Sequence, residues 1–515
     1  MTTQAVAQGS PRTSTPWAQI PAPFEAVRLP AERQPFNLLE LFLYGGLSPW
    51  ESFYVVPEYG DPANNPKPYR IEHGIELGKT YTGGSQWWTF QSGVARTIGS
   101  EFARCGGADR PLLAPWRTDA LGKTVNLGPF IAPLRERPDL LARMRVWTMR
   151  HDVFDHVGAV PFSLTGLRRG SSRGAALGTH LERFFRDRVP VEVIQPFSYT
   201  LYQRAADLVT NTDAAAAIGL HRAASRPLSL RLGPQSREFL QRLERRVIGD
   251  RHAQVDALAA AYLADYRQRL GADMRAPALA DLEHGHTSVE GFRLLQQIFA
   301  GADLTPSDAQ TCEKEPSPDD TAASIALGVK LANHPLHPAR YVCVIEGGLY
   351  PDRLGAGYDT HFDHVRWTAS NTLHSMKHLV SRINEPGERD PTKIDLDRTM
   401  VLLNTEFGRS PYPQRMGPDG ELENWGTDHW PYGYVVVGLG GPIDEERSGI
   451  VGALDENAIA SSGSISPTQH RAAMLLMMGA WPFTPESFAV GDLPDIGTEV
   501  EGAAWLREMV LGYPL

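Results

Sequence analysis

Apolar residues along the chain gather into short, nearly continuous runs of strand length. They are Asn37 to Leu43, Arg145 to Met149, Tyr341 to Ile345, Thr399 to Asn404 and Tyr432 to Gly440. Runs of this kind, apolar on both alternating faces, mark strands covered from two sides. Apolar positions at helical spacing fall between them, over Ser324 to Ala332, Arg366 to Ile383 and Pro467 to Met478. Strands alternating with helices predict an α/β fold with a mostly parallel sheet sandwiched by helices. Between about residues 200 and 310 the pattern changes. Phe239, Leu243 and Val247, then Val255, Leu258, Tyr262 and Tyr266, recur at helical spacing and predict a helical insertion or cap. Residues 1 to 33, rich in Ser, Thr, Pro and Ala, read as a disordered tail before one large domain over 34 to 515.

Composition narrows the class. With 42% hydrophobic and 21% charged residues, the chain can bury a core, and its net charge of −10 is spread rather than gathered in a tail. Nothing in it points to nucleic acid. No run of eighteen apolar residues occurs, so no membrane span is expected. The first residues show neither a twin-arginine pair nor an apolar export region, and the chain as written reads as cytoplasmic. Cys105, Cys312 and Cys343 are far apart, which predicts reduced, structural thiols and no thiolate metal cluster. No pattern in the chain sets an oligomeric state.

In open parallel sheets ligands bind beyond the carboxyl ends of the strands. Those ends carry the unusual polar residues. Ser48 and Glu51 follow the first run, and "RHDVFDH", with His151, Asp152, Asp155 and His156, follows the second. "GYDTHFDH" puts Asp359, His361, Asp363 and His364 within six positions, "TEFGR" holds Glu406 and Arg409, and "GTDHW" holds Asp428 and His429. Carboxylates with imidazoles and no thiolate suit Zn²⁺, Mn²⁺ or Fe²⁺, or Mg²⁺ or Ca²⁺ where oxygen dominates. The "GYDTHFDH" stretch also reads as a loop capping the following helix through Asp363 or Thr360. No GxGxxG, P-loop or GxSxG pattern is present.

The ordered set "FLYGGLSPWESF", "RVWTMRHDVFDH", "GYDTHFDH", "NTEFGR" and "GTDHW" resembles the bacterial family called domain of unknown function 1501. That family is similar to the alkaline phosphatase and sulfatase superfamily, so the resemblance implies a three-layer α/β/α sandwich binding one or two divalent metals at strand ends. It implies metal ligation by Asp359, His361, Glu406 and His429, with His364 and Glu51 as further ligands. His151 or His156 would be another ligand or the general acid, and Arg409 either an anion-holding residue or a surface ion pair. Phe407 stands where the superfamily has a ligand histidine, and no nucleophile motif is present; Ser48, Thr97, Ser100 and Ser163 are unranked substitutes. The implied activity is hydrolysis of small anionic phosphate or sulfate esters. The competing expectation is a binding or assembly protein that keeps the fold and a structural metal.

Overall fold

The structure is a computed structural model that describes residues 24–61, 63–65, 98–169, 176–186, 198–202, 228–231, 320–335, 338–349, 357–361, 364–413, 426–484 and 487–515, with isolated positions and two short strands elsewhere. Its centre is an eight-stranded sheet. In chain order the strands are β1 (Asn37–Leu43), β2 (Met144–Met149), β3 (Ser198–Tyr202), β4 (Leu228–Arg231), β5 (Tyr341–Glu346), β6 (Thr399–Asn404), β7 (Tyr434–Gly440) and β8 (Gly449–Val451). Across the sheet they lie β8-β2-β7-β6-β1-β5-β3-β4. Every neighbouring pair is parallel except the two made by β7, which runs antiparallel to both β6 and β2. The five runs found in the sequence are all strands of this sheet, and the mainly parallel arrangement is as expected.

Alternation along β1 shows why both faces are apolar. Leu39, Leu41 and Leu43 belong to one buried cluster and Leu38 and Phe42 to the other. The first cluster takes in α3 (Asp320–Ala332) and α4 (His364–Ser381). The second takes in α1 (His156–Thr165), α2 (Leu177–Arg186) and α5 (Pro467–Met477). α5 begins with a capping box, Ser466 accepting from the Gln469 amide while Gln469 reaches back to the Ser466 amide.

Three expectations need correction. The N-terminal tail is structured from Phe24: Phe24, Val27 and Leu29 are buried, with Phe24 edge-on to Trp481 at 5.1 Å. A few large apolar side chains anchor a segment whose average composition is polar. The stretch read as a helical insertion contains strand β4 at Leu228–Arg231, paired with β3 at the sheet edge, whereas Ala257, Leu258, Ala261 and Asp265 within it are helical as expected; most of the rest lies outside the described residues. Finally, Cys105 and Cys312 form a disulfide across 207 residues, leaving Cys343 as a buried free thiol. Linear spacing gave no sign of two cysteines that only the fold brings together. No helix among the described residues is long and apolar enough to cross a membrane.

At the end of β5 the carboxyl of Glu346 is fully buried, accepting from Thr321 Oγ1 at 3.0 Å and Ser375 Oγ at 2.9 Å. Burial pushes its pKa up from 4.5 to about 7, against the opposing hydrogen bonds from Ser375, Tyr358 and Thr321. The native state therefore keeps a proton that the unfolded chain releases. This contribution to stability is fully present below pH 4.5 and is lost as pH rises to about 7. Glu346→Gln should flatten that slope and raise stability at pH 8 by up to about 3 kcal/mol. Denaturant unfolding of both proteins across that window checks it; parallel pH profiles would disprove it.

Candidate metal centre at the strand ends

The carboxyl ends of β1, β2, β5 and β6 share one edge of the sheet. Because β7 is reversed, the residues before it lie at that same edge, and this brings His429 to the others. His429 stands on a short strand, β9 (Thr427–Trp430), paired antiparallel with β10 (Gly408–Pro413).

Asp359 is the centre of the cluster. Its Oδ1 lies 3.1 Å from His361 Nε2, 3.3 Å from His429 Nε2 and 2.9 Å from Arg409 Nη1. Its Oδ2 lies 3.4 Å from His156 Nε2, and the two Nε2 atoms of His361 and His429 are 3.0 Å apart. His156 is the first residue of α1, whose N-cap Asp155 accepts from the Gly158 amide at 2.8 Å. The loops pass so closely that a Cβ on Gly45 would sit 2.2 Å from the Asp359 nitrogen, and Gly45 has a φ of +116°.

The outward-facing ring nitrogens decide the chemistry. His156 Nδ1 is 2.9 Å from Glu406 Oε1, so its N–H donates to that carboxylate and Nε2 turns towards Asp359. His429 Nδ1 donates to the Phe154 carbonyl at 2.7 Å, which leaves its Nε2 lone pair facing Asp359 and His361. A metal-ligating histidine typically has its remote N–H held by a carboxylate or carbonyl in this way. His156 Nε2 is buried and makes no hydrogen bond despite its 3.4 Å approach to Asp359. Two overlapping sets, His156-Asp359-His429 and His361-Asp428-His429, each offer ligand atoms within 4.8 Å of one another. The residues present fit a divalent ion.

Charge follows the same geometry. Burial works to raise the Asp359 pKa, but the imidazoles of His156, His361 and His429 and the Arg409 charge outweigh it and hold the carboxyl well below its usual range. Burial likewise opposes protonation of His156, yet Asp359 and Glu406 hold its pKa up at about 9. The carboxylates thus draw a proton to His156, whereas burial and the charges of Arg409 and His156 hold the His429 pKa below 6.5.

Other expected site residues stand further back. Glu406 is fully buried, its Oε1 also accepting from the Gly45 amide at 2.8 Å, so its carboxylate orients His156 from behind. Arg409 is fully buried, bound to Asp359, to the Gly45 carbonyl at 3.0 Å and to Thr427. It is neither a surface ion pair nor open to a substrate anion. His151 donates from Nε2 to the Glu406 carbonyl at 2.7 Å and accepts from the Val153 amide at Nδ1, 3.1 Å. With both nitrogens used, and burial pulling its pKa down to about 4, it is neither ligand nor acid here. Glu51 and His364 pair with each other at 2.9 Å, both fully buried and outside the two ligand sets. His364 Nδ1 in turn meets Thr360 Oγ1 at 2.6 Å and Thr427 Oγ1 at 3.0 Å, so this pair braces the segments that carry Asp359 and His429. Asp363 lies outside the described residues.

Two contributors were noted in the sequence without being given a place in the centre. Asp428 joins the second ligand set, and its place beside His429 was the available signal. Phe407, read as a lost ligand, stacks on His429 with centroids 4.2 Å apart and fixes that ring.

Fold and cluster together describe an α/β protein with a candidate His and Asp metal centre at its strand ends. Residues 357–482 match the family described as protein of unknown function (DUF1501), and this supports that family for the chain. The matched segment holds Asp359, His361, Glu406, Arg409, Asp428 and His429, whereas His156 and Glu51 lie outside it. No curated protein and no solved structure matches.

Proposed function

We propose that this chain is a metal-dependent hydrolase of phosphate or sulfate esters, built as a three-layer sandwich of the alkaline phosphatase and sulfatase type. The observation that carries this reading is the convergence of His156, His361 and His429 on Asp359, with the remote N–H groups of His156 and His429 held by protein acceptors. Asp359, His156 and His429 would hold the ion, with His361 and Asp428 beside them. Bound there, a divalent metal supplies Lewis acidity towards an ester oxygen and towards water. The chain's own groups do the rest: Glu406 sets the tautomer of His156, Phe407 holds the ring of His429, and Arg409 fixes one oxygen of Asp359.

A second reading, a binding or assembly protein with a structural metal, draws on the buried hydroxyls. Ser48, Ser163, Thr360 and Thr405 are all buried at this edge, so none of them meets an incoming ester. Thr97 lies outside the described residues and Ser100 is half-buried, so under the hydrolase reading the attacking group is water or one of these two hydroxyls. Metal analysis of purified protein, combined with a panel of phosphate and sulfate esters, separates the two. The hydrolase reading expects stoichiometric metal and turnover that a chelator abolishes. Stoichiometric metal with no turnover on any ester would favour the second reading, and absence of metal would refute both.

A further inference from the structure

Six large hydrophobic side chains are exposed among the described residues, and four of them, Leu121, Leu258, Met509 and Leu515, are aliphatic or thioether groups. Of the two aromatic ones, Phe154 at 41% exposure stands beside His429 of the Asp359 cluster, and Tyr432 at 38% stands beside Phe154. Single exposed apolar residues need no explanation, but a pair of rings at the rim of a candidate active centre does.

Neither ring is exposed because its backbone is loose. The Phe154 carbonyl accepts from His429 Nδ1 at 2.7 Å, and the next residue, Asp155, caps α1. The Tyr432 carbonyl accepts from the Ala460 amide at 2.8 Å. Trp430 packs edge-on beneath Tyr432 with centroids 5.3 Å apart, its indole N–H donating to the Ala458 carbonyl at 2.6 Å. Phe154 and Tyr432 lie 6.5 Å apart at 44°, and Phe154 lies 5.7 Å from His429 at 48°. These are the tilted spacings that aromatic rings adopt with one another, so the group extends from the ligand histidine to an open end. Leaving two such faces in water forgoes apolar burial that a ring-bearing ligand would restore.

We propose that Phe154 and Tyr432 form an aryl subsite, and that the esters taken at this centre carry a planar aromatic ring. The ring packs against these two side chains while the anionic group lies at Asp359, His156 and His429. This rests on the metal-dependent ester reading and names the substrate class for it.

The test titrates phenylphosphonate, cyclohexylphosphonate and methylphosphonate into metal-loaded protein by calorimetry, with metal content measured for every variant. Phenylphosphonate should bind about tenfold tighter than the methyl compound and clearly tighter than the cyclohexyl one. The preference should fall to about twofold or less in the Phe154→Ala/Tyr432→Ala variant, with metal content unchanged, and should largely survive Phe154→Tyr, which keeps a ring. Equal binding of the three compounds to native protein would overturn the subsite while leaving the metal reading intact, as would an unchanged preference in the double variant. If the protein holds no metal, saturation transfer from protein to the ring protons of phenol reads the subsite alone. Transfer that disappears in the double variant supports it, and transfer absent from native protein or retained in the variant overturns it.

Discussion

Asp359→Asn protein, purified and dialysed beside the native chain, is expected to lose essentially all of its divalent metal, and His429→Ala to do the same. Asp359 is the carboxylate that all three histidines of the cluster face, at 3.1 Å from His361, 3.3 Å from His429 and 3.4 Å from His156. An amide in its place keeps the shape and an acceptor for Arg409 but removes the negative charge that offsets a divalent ion. Three neighbouring variants sort ligands from supports. Glu406→Gln should weaken metal binding by about ten- to a hundredfold without abolishing it, because it only orients His156 through the 2.9 Å contact. Glu51→Gln should leave stoichiometry near native, since Glu51 meets His364 and not the cluster. His151→Gln should do likewise, both nitrogens of His151 being used by the backbone. Elemental analysis and competition with a metallochromic chelator supply the numbers. Full metal in Asp359→Asn together with His429→Ala would sink the assignment of this centre.

The strands and several side chains of the candidate centre were legible in the sequence because each depends on local pattern. An apolar run bounded by polar residues reads as a buried strand, and the first polar residues after it lie at the sheet's carboxyl edge. Asp359 and His361 were found in this way, and His429 by its place just before the last apolar run. What failed depends on side-chain direction. Glu406 and His156 both follow strands, yet one turns to become the acceptor for the other, and no spacing distinguishes ligand from support. Glu51 and His364 were both assigned to the metal, and the fold pairs them with each other instead. Arg409 shows the same limit: a strand-end arginine suggests an anion site, whereas here all three guanidinium nitrogens are turned inward onto Asp359, Gly45 and Thr427. The reversal of β7 was equally hidden, since apolar content carries no direction. Residues before that strand reach the site only because it runs backwards.

Arg471→Met is expected to destabilise the protein by about 3–5 kcal/mol, as is Glu40→Leu, and the double variant to cost less than the sum of the two. Glu40 lies in the middle of β1, between Leu39 and Leu41, and is fully buried in the apolar layer under α5. Arg471 reaches it from α5 with two bonds, Nη1 to Oε2 at 2.8 Å and Nη2 to Oε1 at 2.5 Å. Tyr341 donates to Oε2 at 2.7 Å and Asn404 to Oε1 at 2.8 Å, so strands β1, β5 and β6 meet helix α5 on one carboxylate. Burial works against the charge on Glu40, but Arg471, Tyr341 and Asn404 outweigh it and hold its pKa below 4.5. Its contribution is therefore present above pH 4.5 and is lost as pH falls below that value. Removing one partner strands the other as an unpaired charge in hydrocarbon, whereas removing both leaves only the unmet hydroxyl, amide and carbonyl groups. Denaturant unfolding of the four proteins measures the coupling directly. Single variants within about 1 kcal/mol of native, or strictly additive effects, would contradict it. The same pair also connects to the metal centre. Arg471 Nε donates to the Ser163 carbonyl at 2.6 Å, Ser163 Oγ donates to the Thr405 carbonyl at 2.8 Å, and Thr405 Oγ1 donates to Glu406 at 3.3 Å. Glu406 holds His156, so Arg471→Met should also loosen the metal, by less than Glu406→Gln does, and measuring stability and metal affinity on the same protein shows whether the buried pair braces the centre as well as the core.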